Sequence, residues 1–138
     1  MKETLENNTH KRYNILTDEW VLVSPHRTKR PWQGQEEKTI EKTVIEHDPS
    51  CYLCEGNKRS NGITNPDYTD TFVFENDFAA LKSDSETFEI NNGLLKASSE
   101  KGLGKVICFS PNHSKSLAEM SVPEIEKVVT VWQSESRN

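Results

Sequence analysis

The sequence predicts an α+β fold. Three observations carry that prediction: short β-rich apolar runs, turn-forming residues around each run, and one amphipathic helix late in the chain. Thr17-Asp18 reads as a turn into the first run, Trp20-Val21-Leu22-Val23, which is nearly all apolar and is expected to be buried on both faces. Pro25 and Pro31 then bracket a stiff loop that holds His26, Arg27, Thr28, Lys29 and Arg30. Residues 34–49 carry five acids against two lysines and read as a surface linker. Residues 51–66 contain Gly56, Asn57, Asn61, Gly62 and Asn65, a turn-rich knuckle.

Thr71-Phe72-Val73-Phe74 is the second strand, ended by Glu75-Asn76-Asp77. Residues 83–92 are polar and expected as loop, and Asn92-Gly93 marks a turn ahead of Leu94-Leu95. Gly102-Leu103-Gly104 precedes the third strand, residues 105–109, which Ser110-Pro111 stops. Ser121-Val122-Pro123-Glu124 has capping-box spacing, with proline tolerated in the first turn because its missing N–H was unpaired anyway. Ile125, Val128, Val129 and Trp132 follow at i, i+3, i+4 and i+7, so residues 121–137 are expected as an amphipathic helix. Little chain remains downstream for that helix to pack against.

The 138 residues are a length for one domain, yet only 33% are hydrophobic and 28% are charged. A soluble domain averages about 45–50% apolar with glycine counted, and six glycines do not close the gap. Three Trp, three Tyr and five Phe argue against full disorder. The expectation is a thin core, or a piece of a larger domain. No stretch of about 18 apolar residues exists to span a membrane. Residues 1–14 are polar and lack a signal peptide's apolar core. A cytoplasmic, reducing setting is therefore expected, in which Cys51, Cys54 and Cys108 serve as thiols or metal ligands rather than disulfides.

A net charge of -5 argues against nucleic acid as a partner. Positive charge is nevertheless local. Lys11, Arg12, Arg27, Lys29 and Arg30 share a stretch whose acids are Asp18 and Glu19, which suits a small anion. Arginines three apart in a proline-stiffened loop can grip phosphate oxygens through forked hydrogen bonds, and Trp32 could wall such a site or anchor the loop. A solvated basic loop is the bland alternative.

Cys51-Tyr52-Leu53-Cys54 is the sharpest local signal. Two thiolates at this spacing form half a tetrahedral zinc site. A redox pair would want a helix after it, and Gly56 and Asn57 oppose one, so zinc is favoured over buried or redox thiols. Cys108, between Ile107 and Phe109, reads as a packed strand thiol, while His113 on the loop after it is the candidate third ligand. His10 and His47 lie in polar surroundings and are expected at the surface. Phe74-Glu75-Asn76-Asp77-Phe78 could sandwich a base and hold a ribose, or be a polar turn between buried strand residues.

In order along nearly the whole chain, these pieces resemble the start of the galactose-1-phosphate uridylyltransferases, within the histidine-triad superfamily. The matching stretches are Arg12-Tyr13-Asn14, Asp18-Glu19-Trp20-Val21-Leu22-Val23-Ser24, and His26-Arg27-Thr28-Lys29-Arg30-Pro31-Trp32-Gln33-Gly34. They continue through Cys51-Tyr52-Leu53-Cys54, Asn65-Pro66-Asp67-Tyr68, Phe74-Glu75-Asn76-Asp77-Phe78-Ala79-Ala80 and Val106-Ile107-Cys108-Phe109-Ser110-Pro111-Asn112-His113.

The resemblance implies a half-barrel antiparallel sheet with a flanking helix, incomplete in this chain, which would be the N-terminal part of the family's N-terminal domain. It implies transfer of UMP from UDP-glucose to galactose 1-phosphate through a uridylyl-histidine intermediate, in a homodimer. By position, Cys51, Cys54 and His113 match ligands of a structural Zn2+. Arg27 and Arg30 match arginines that grip substrate in the partner subunit's site. Asn76 and Asp77 match the nucleotide pair, Phe74 and Tyr52 lie beside the base, and Ser60 matches a further nucleotide contact that is usually apolar. The family's His-Pro-His stretch, with the nucleophile and the fourth zinc ligand, is absent from these residues and is expected beyond Asn138. The chain by itself is expected to be inactive. A free-standing zinc module that binds nucleotide or protein, and a related histidine-triad phosphorylase or hydrolase, are the alternatives.

Overall fold

In a computed structural model, which describes residues 2–31 and 44–137, the chain runs through α1 (Lys2–Asn7), β1 (His10–Asn14), β2 (Glu19–Val23) and a 3-10 helix (Pro25–Lys29). It continues with β3 (Phe72–Glu75), β4 (Glu89–Asn92), β5 (Leu95–Ser99), β6 (Lys105–Cys108), a 3-10 turn (Leu117–Glu119) and α2 (Val122–Arg137). The fold is α+β with open sheets. It divides into two units, one built from residues 1–33 and 75–105, the other from residues 34–74 and 106–138.

The first unit holds a four-stranded antiparallel sheet in the order β2-β1-β5-β4. The β1–β2 hairpin closes Asn14 against Glu19, with Asp18 at a positive φ of 56°, a conformation that aspartate tolerates better than most residues. The β4–β5 hairpin closes Asn92 against Leu95. Its loop places Gly93 at φ 61°, the left-handed backbone that only glycine adopts at little cost. Two carbonyls tie the following loops to this sheet. Thr9 Oγ1 and Ser24 Oγ both donate to Ala80 O, at 2.8 and 2.7 Å, and His26 Nε2–H donates to Ala79 O at 2.5 Å.

The second unit pairs β3 with β6 and carries α2. Val128 of α2 is fully buried, and Trp132 meets Phe109 edge-on at 5.8 Å. At the start of α2 Glu124 makes its half of the capping box that the sequence predicts. Glu124 Oε2 accepts from the Ser121 backbone N–H at 2.8 Å and from Ser121 Oγ at 2.7 Å. Glu124 Oε1 also accepts from Lys115 Nζ at 2.6 Å, and the Lys115 bond followed by those from Ser121 lowers the Glu124 pKa from 4.5 to about 2. A depressed carboxylate contributes stability that is present above pH 4.5 and lost as pH falls through about 2. Glu124→Gln should therefore flatten the acid limb of the stability curve in that window, read as melting temperature against pH. An unchanged acid limb would remove Glu124 from the account.

Three local expectations need correction. Trp20, Val21 and Leu22 are 48, 51 and 45% exposed rather than buried on both faces, because β2 is the outermost strand of its sheet. His10 is fully buried rather than at the surface, because it stands on β1, which is paired on both sides. Its ring is held by a bond from Nδ1–H to Asn8 O at 2.8 Å and one from Arg12 Nε to its Nε2 at 2.9 Å. Residues 83–92 are not all loop, since β4 occupies their last four positions. Trp32 and most of the 34–49 linker lie outside the described residues. The core is thin: among the described residues its largest buried hydrophobic side chains are Tyr68, Met120 and Val128.

Candidate functional site

The knuckle over residues 51–66 is built by backbone hydrogen bonds that its asparagines complete. Asn57 Nδ2 donates to Asp48 O and Cys51 O, both at 2.8 Å, and Asn65 Nδ2 donates to Tyr52 O and Cys54 O, both at 2.9 Å. Gly56 takes φ 68° two residues after Cys54, a left-handed step that favours glycine. Tyr68 closes the knuckle from outside by donating to Leu53 O at 2.8 Å. The loop after β6 meets this knuckle through residues 44–48. His113 N–H donates to Glu46 O at 2.8 Å, and the Ile45 N–H donates to Ser114 Oγ at 2.8 Å.

These contacts bring Cys51, Cys54 and His113 together, with one ligand atom of each within 4.8 Å of the others. Cys54 Sγ lies 3.4 Å from His113 Nδ1, and Cys51 Sγ accepts from the Leu53 N–H at 3.4 Å. Cys54 is buried, Cys51 half-buried and His113 exposed on its loop. A zinc ion bound tetrahedrally by two sulfurs and a nitrogen sets its donor atoms about 3.5–3.8 Å apart. The donor set is compatible with zinc, and the Cys54–His113 separation is close to that spacing. Burial pushes the Cys54 thiol above its ordinary value, so a cation is what would draw out its thiolate. Burial raises Cys108 as well, offset in part by the Tyr68 hydroxyl, and Cys108 packs in β6 outside this donor group.

Arg27 and Arg30 belong to the first unit. The 3-10 helix that carries them is closed by Arg27 N–H to Ser24 O and Arg30 N–H to Arg27 O, both 3.1 Å, and both side chains are exposed. With Leu22, Ser24, Thr28 and Ala80 they line a recess of about 560 Å³. Among the described residues neither guanidinium is in an ion pair. Asn76 and Asp77 are half-buried in a turn of the same unit. Asn76 Oδ1 accepts from the Phe78 N–H at 3.0 Å, and the Asn76 N–H donates to Gly104 O at 2.8 Å. This turn leads into Ala79 and Ala80, whose carbonyls anchor the loop that carries the arginines.

Tyr52, Ser60 and Phe74 belong to the second unit. Tyr52 is 39% exposed and Ser60 is exposed. Phe74 is half-buried in β3, stacked on Phe72 at 5.2 Å, with the Arg59 guanidinium 4.1 Å from its ring centre. Any aromatic ligand at Phe74 would thus share the ring with Arg59, a cation that the sequence did not single out. Asp48 was also missed, because its contacts with the knuckle and with His113 appear only in the folded chain.

The family model described as galactose-1-phosphate uridyl transferase, N-terminal domain, matches residues 1–138. The chain belongs to that family. It is 53% identical over 129 residues to the galactose-1-phosphate uridylyltransferase of Haemophilus influenzae, covering 93% of this chain and 37% of that protein. It is 50% identical over 126 residues to the rat protein of that name, covering 91% and 33%, and 46% identical over 136 residues to the Saccharomyces cerevisiae one, covering 93% and 37%. The chain therefore spans about a third of the length of these uridylyltransferases. A solved structure titled as that of a uridylyltransferase matches with a TM-score of 0.64 at 22% identity, over 93% of this chain and 35% of the other, and so supports the fold. Among the described residues no helix is long and apolar enough to cross a membrane.

Proposed function

We propose that this chain is the part of a uridylyltransferase that grips the nucleotide sugar and holds a structural zinc ion, in an enzyme that moves UMP from UDP-glucose to galactose 1-phosphate. The observation that carries the reading is the family match across residues 1–138. In the first unit Arg27 and Arg30 are assigned to phosphate oxygens, and Asn76 and Asp77 to the ribose hydroxyls. Because Asn76 Oδ1 already accepts from Phe78, its amide N–H groups are what it offers a hydroxyl oxygen. In the second unit Tyr52, Phe74 and Ser60 are assigned to nucleotide contacts.

Cys51, Cys54 and His113 would hold the zinc, which when bound supplies folding energy rather than a reacting group. Three donors leave a fourth tetrahedral position for a group from outside this set. The proposed setting is cytoplasmic, in keeping with three free cysteines, and the full-length enzyme is proposed to be a homodimer.

A uridylyl-histidine intermediate needs an imidazole whose attacking nitrogen is free. Two of the four histidines are taken out by their own bonding. His10 is bonded at both nitrogens and His113 belongs to the metal donors, while His26 and His47 each donate one N–H to a carbonyl, with Nδ1 of His26 enclosed by protein. We assign the nucleophile to the His-Pro-His stretch that the resemblance implies and that these 138 residues do not contain, so the chain should bind without turnover. Calorimetric titration with UDP-glucose should give saturable binding, ADP-glucose much weaker binding, and no glucose 1-phosphate should be released. Equal affinity for the two sugars, or none for either, would overturn the nucleotide assignment. Release of glucose 1-phosphate would overturn the assignment of the nucleophile.

A further inference from the structure

Asp48 has no part in the function proposed above, yet it is joined to the metal donors in two ways. Its main-chain carbonyl accepts from the Cys51 N–H at 3.0 Å and from Asn57 Nδ2 at 2.8 Å, which sets the start of the knuckle. Its carboxylate is divided between two partners. Oδ1 accepts from the Ser50 N–H at 2.8 Å and from Ser50 Oγ at 2.7 Å, while Oδ2 lies 3.9 Å from His113 Nε2. The other nitrogen of that ring, Nδ1, is the one beside Cys54 Sγ.

A neutral imidazole carries one proton, on one nitrogen, and binds a metal through the other. The ring of His113 is therefore held between a carboxylate at one end and two sulfur donors at the other. At 3.9 Å the carboxylate is beyond hydrogen-bond reach, so it acts through charge. A negative oxygen there stabilises the Nε2–H form, whose N–H dipole points toward it, and destabilises the form with a lone pair on Nε2.

We propose that Asp48 is a positioning residue of the metal centre, selecting the Nε2–H tautomer of His113 and so keeping the Nδ1 lone pair for a divalent cation shared with the sulfurs of Cys51 and Cys54. The inference rests on the zinc reading and adds to it what orients the imidazole. The lowered pKa of Asp48, caused first by its bonds from Ser50, agrees with a carboxylate that stays charged.

The substitution Asp48→Asn tests this. The Ser50 donors keep the amide oxygen where Oδ1 was, so the amide NH2 replaces Oδ2 and faces Nε2. A donor at that place favours the wrong tautomer, with its proton on the metal side. Competition with a chelator of known zinc affinity should show zinc binding about 10- to 100-fold weaker in Asp48→Asn. Nitrogen-15 NMR of the reduced, zinc-free wild type at pH 8 should show the His113 proton on Nε2, and the variant should move it to Nδ1. A wild-type proton on Nδ1 would overturn the proposal whether or not the variant folds. Unchanged zinc affinity together with an unchanged tautomer in the variant would do the same. Failure of the wild type to bind zinc would sink the metal reading alone, since the tautomer is measured without metal.

Discussion

Replacing Cys54 by serine should abolish tight zinc binding and lower the yield of folded protein. The sulfur is buried within the donor group that Cys51 and His113 complete, and its loss leaves two of the three donors. A ligand that binds only the folded state adds about 2.7 kcal/mol of stability at a free concentration 100-fold above its dissociation constant, and about 4.1 kcal/mol at 1,000-fold. For a chain of this length that amounts to a shift in melting temperature on the order of 10 °C. The variant should melt near the chelated wild type and respond no further to chelator. Metal analysis of both proteins, purified under reducing conditions, checks the first half of the claim, and equal zinc content would refute it.

Truncating Arg27 should weaken UDP-glucose binding by about 10- to 100-fold, since hydrogen bonds to charged groups contribute about 1.5–3 kcal/mol each. Stability should stay within about 0.5 kcal/mol, because the side chain is exposed and among the described residues makes no ion pair. Arg27→Lys should fall between the two, retaining charge but losing the planar fork that matches phosphate. Titration calorimetry and thermal melts on the same preparations separate binding from folding. A large loss of stability with normal binding would make Arg27 a structural residue of its loop.

What the sequence revealed, and what it concealed, divides along the range of the interactions involved. Helix α2 could be read because its cap and apolar stripe lie within one stretch, and Ser121, Glu124 and Val128 do what their spacing implies. The knuckle could be read because Gly56, Asn57 and Asn65 are turn formers whose bonds are mostly local. Strand β1 could not. His-Lys-Arg-Tyr-Asn has no apolar alternation, and it is a strand because β2 and β5 supply partners on both edges. The same pairing hides His10, whose polar neighbours in sequence suggested solvent. Conversely, the apolar run of β2 carries no mark that it forms a sheet edge. Within the site, Cys51, Cys54 and His113 were legible because metal chemistry restricts residue type and spacing. Asp48 was not, since an aspartate in a polar stretch resembles many others until His113 comes to face it.

Neither unit is a continuous length of polypeptide. Strand β1 waits for β5 as its second neighbour, His10 opposite Ser99, while Cys54 waits for His113. During translation, then, the central strand emerges from the ribosome long before its partner exists, with one edge open. Native assembly of the two units cannot be completed until residues 95–113 have been made, and pairings so distant in sequence are slow to form. Chaperone dependence and proteolysis of the newly made polypeptide should consequently be set by how long that edge stays uncovered. Cutting the polypeptide between β2 and β4 would leave neither piece with the complete four-stranded sheet.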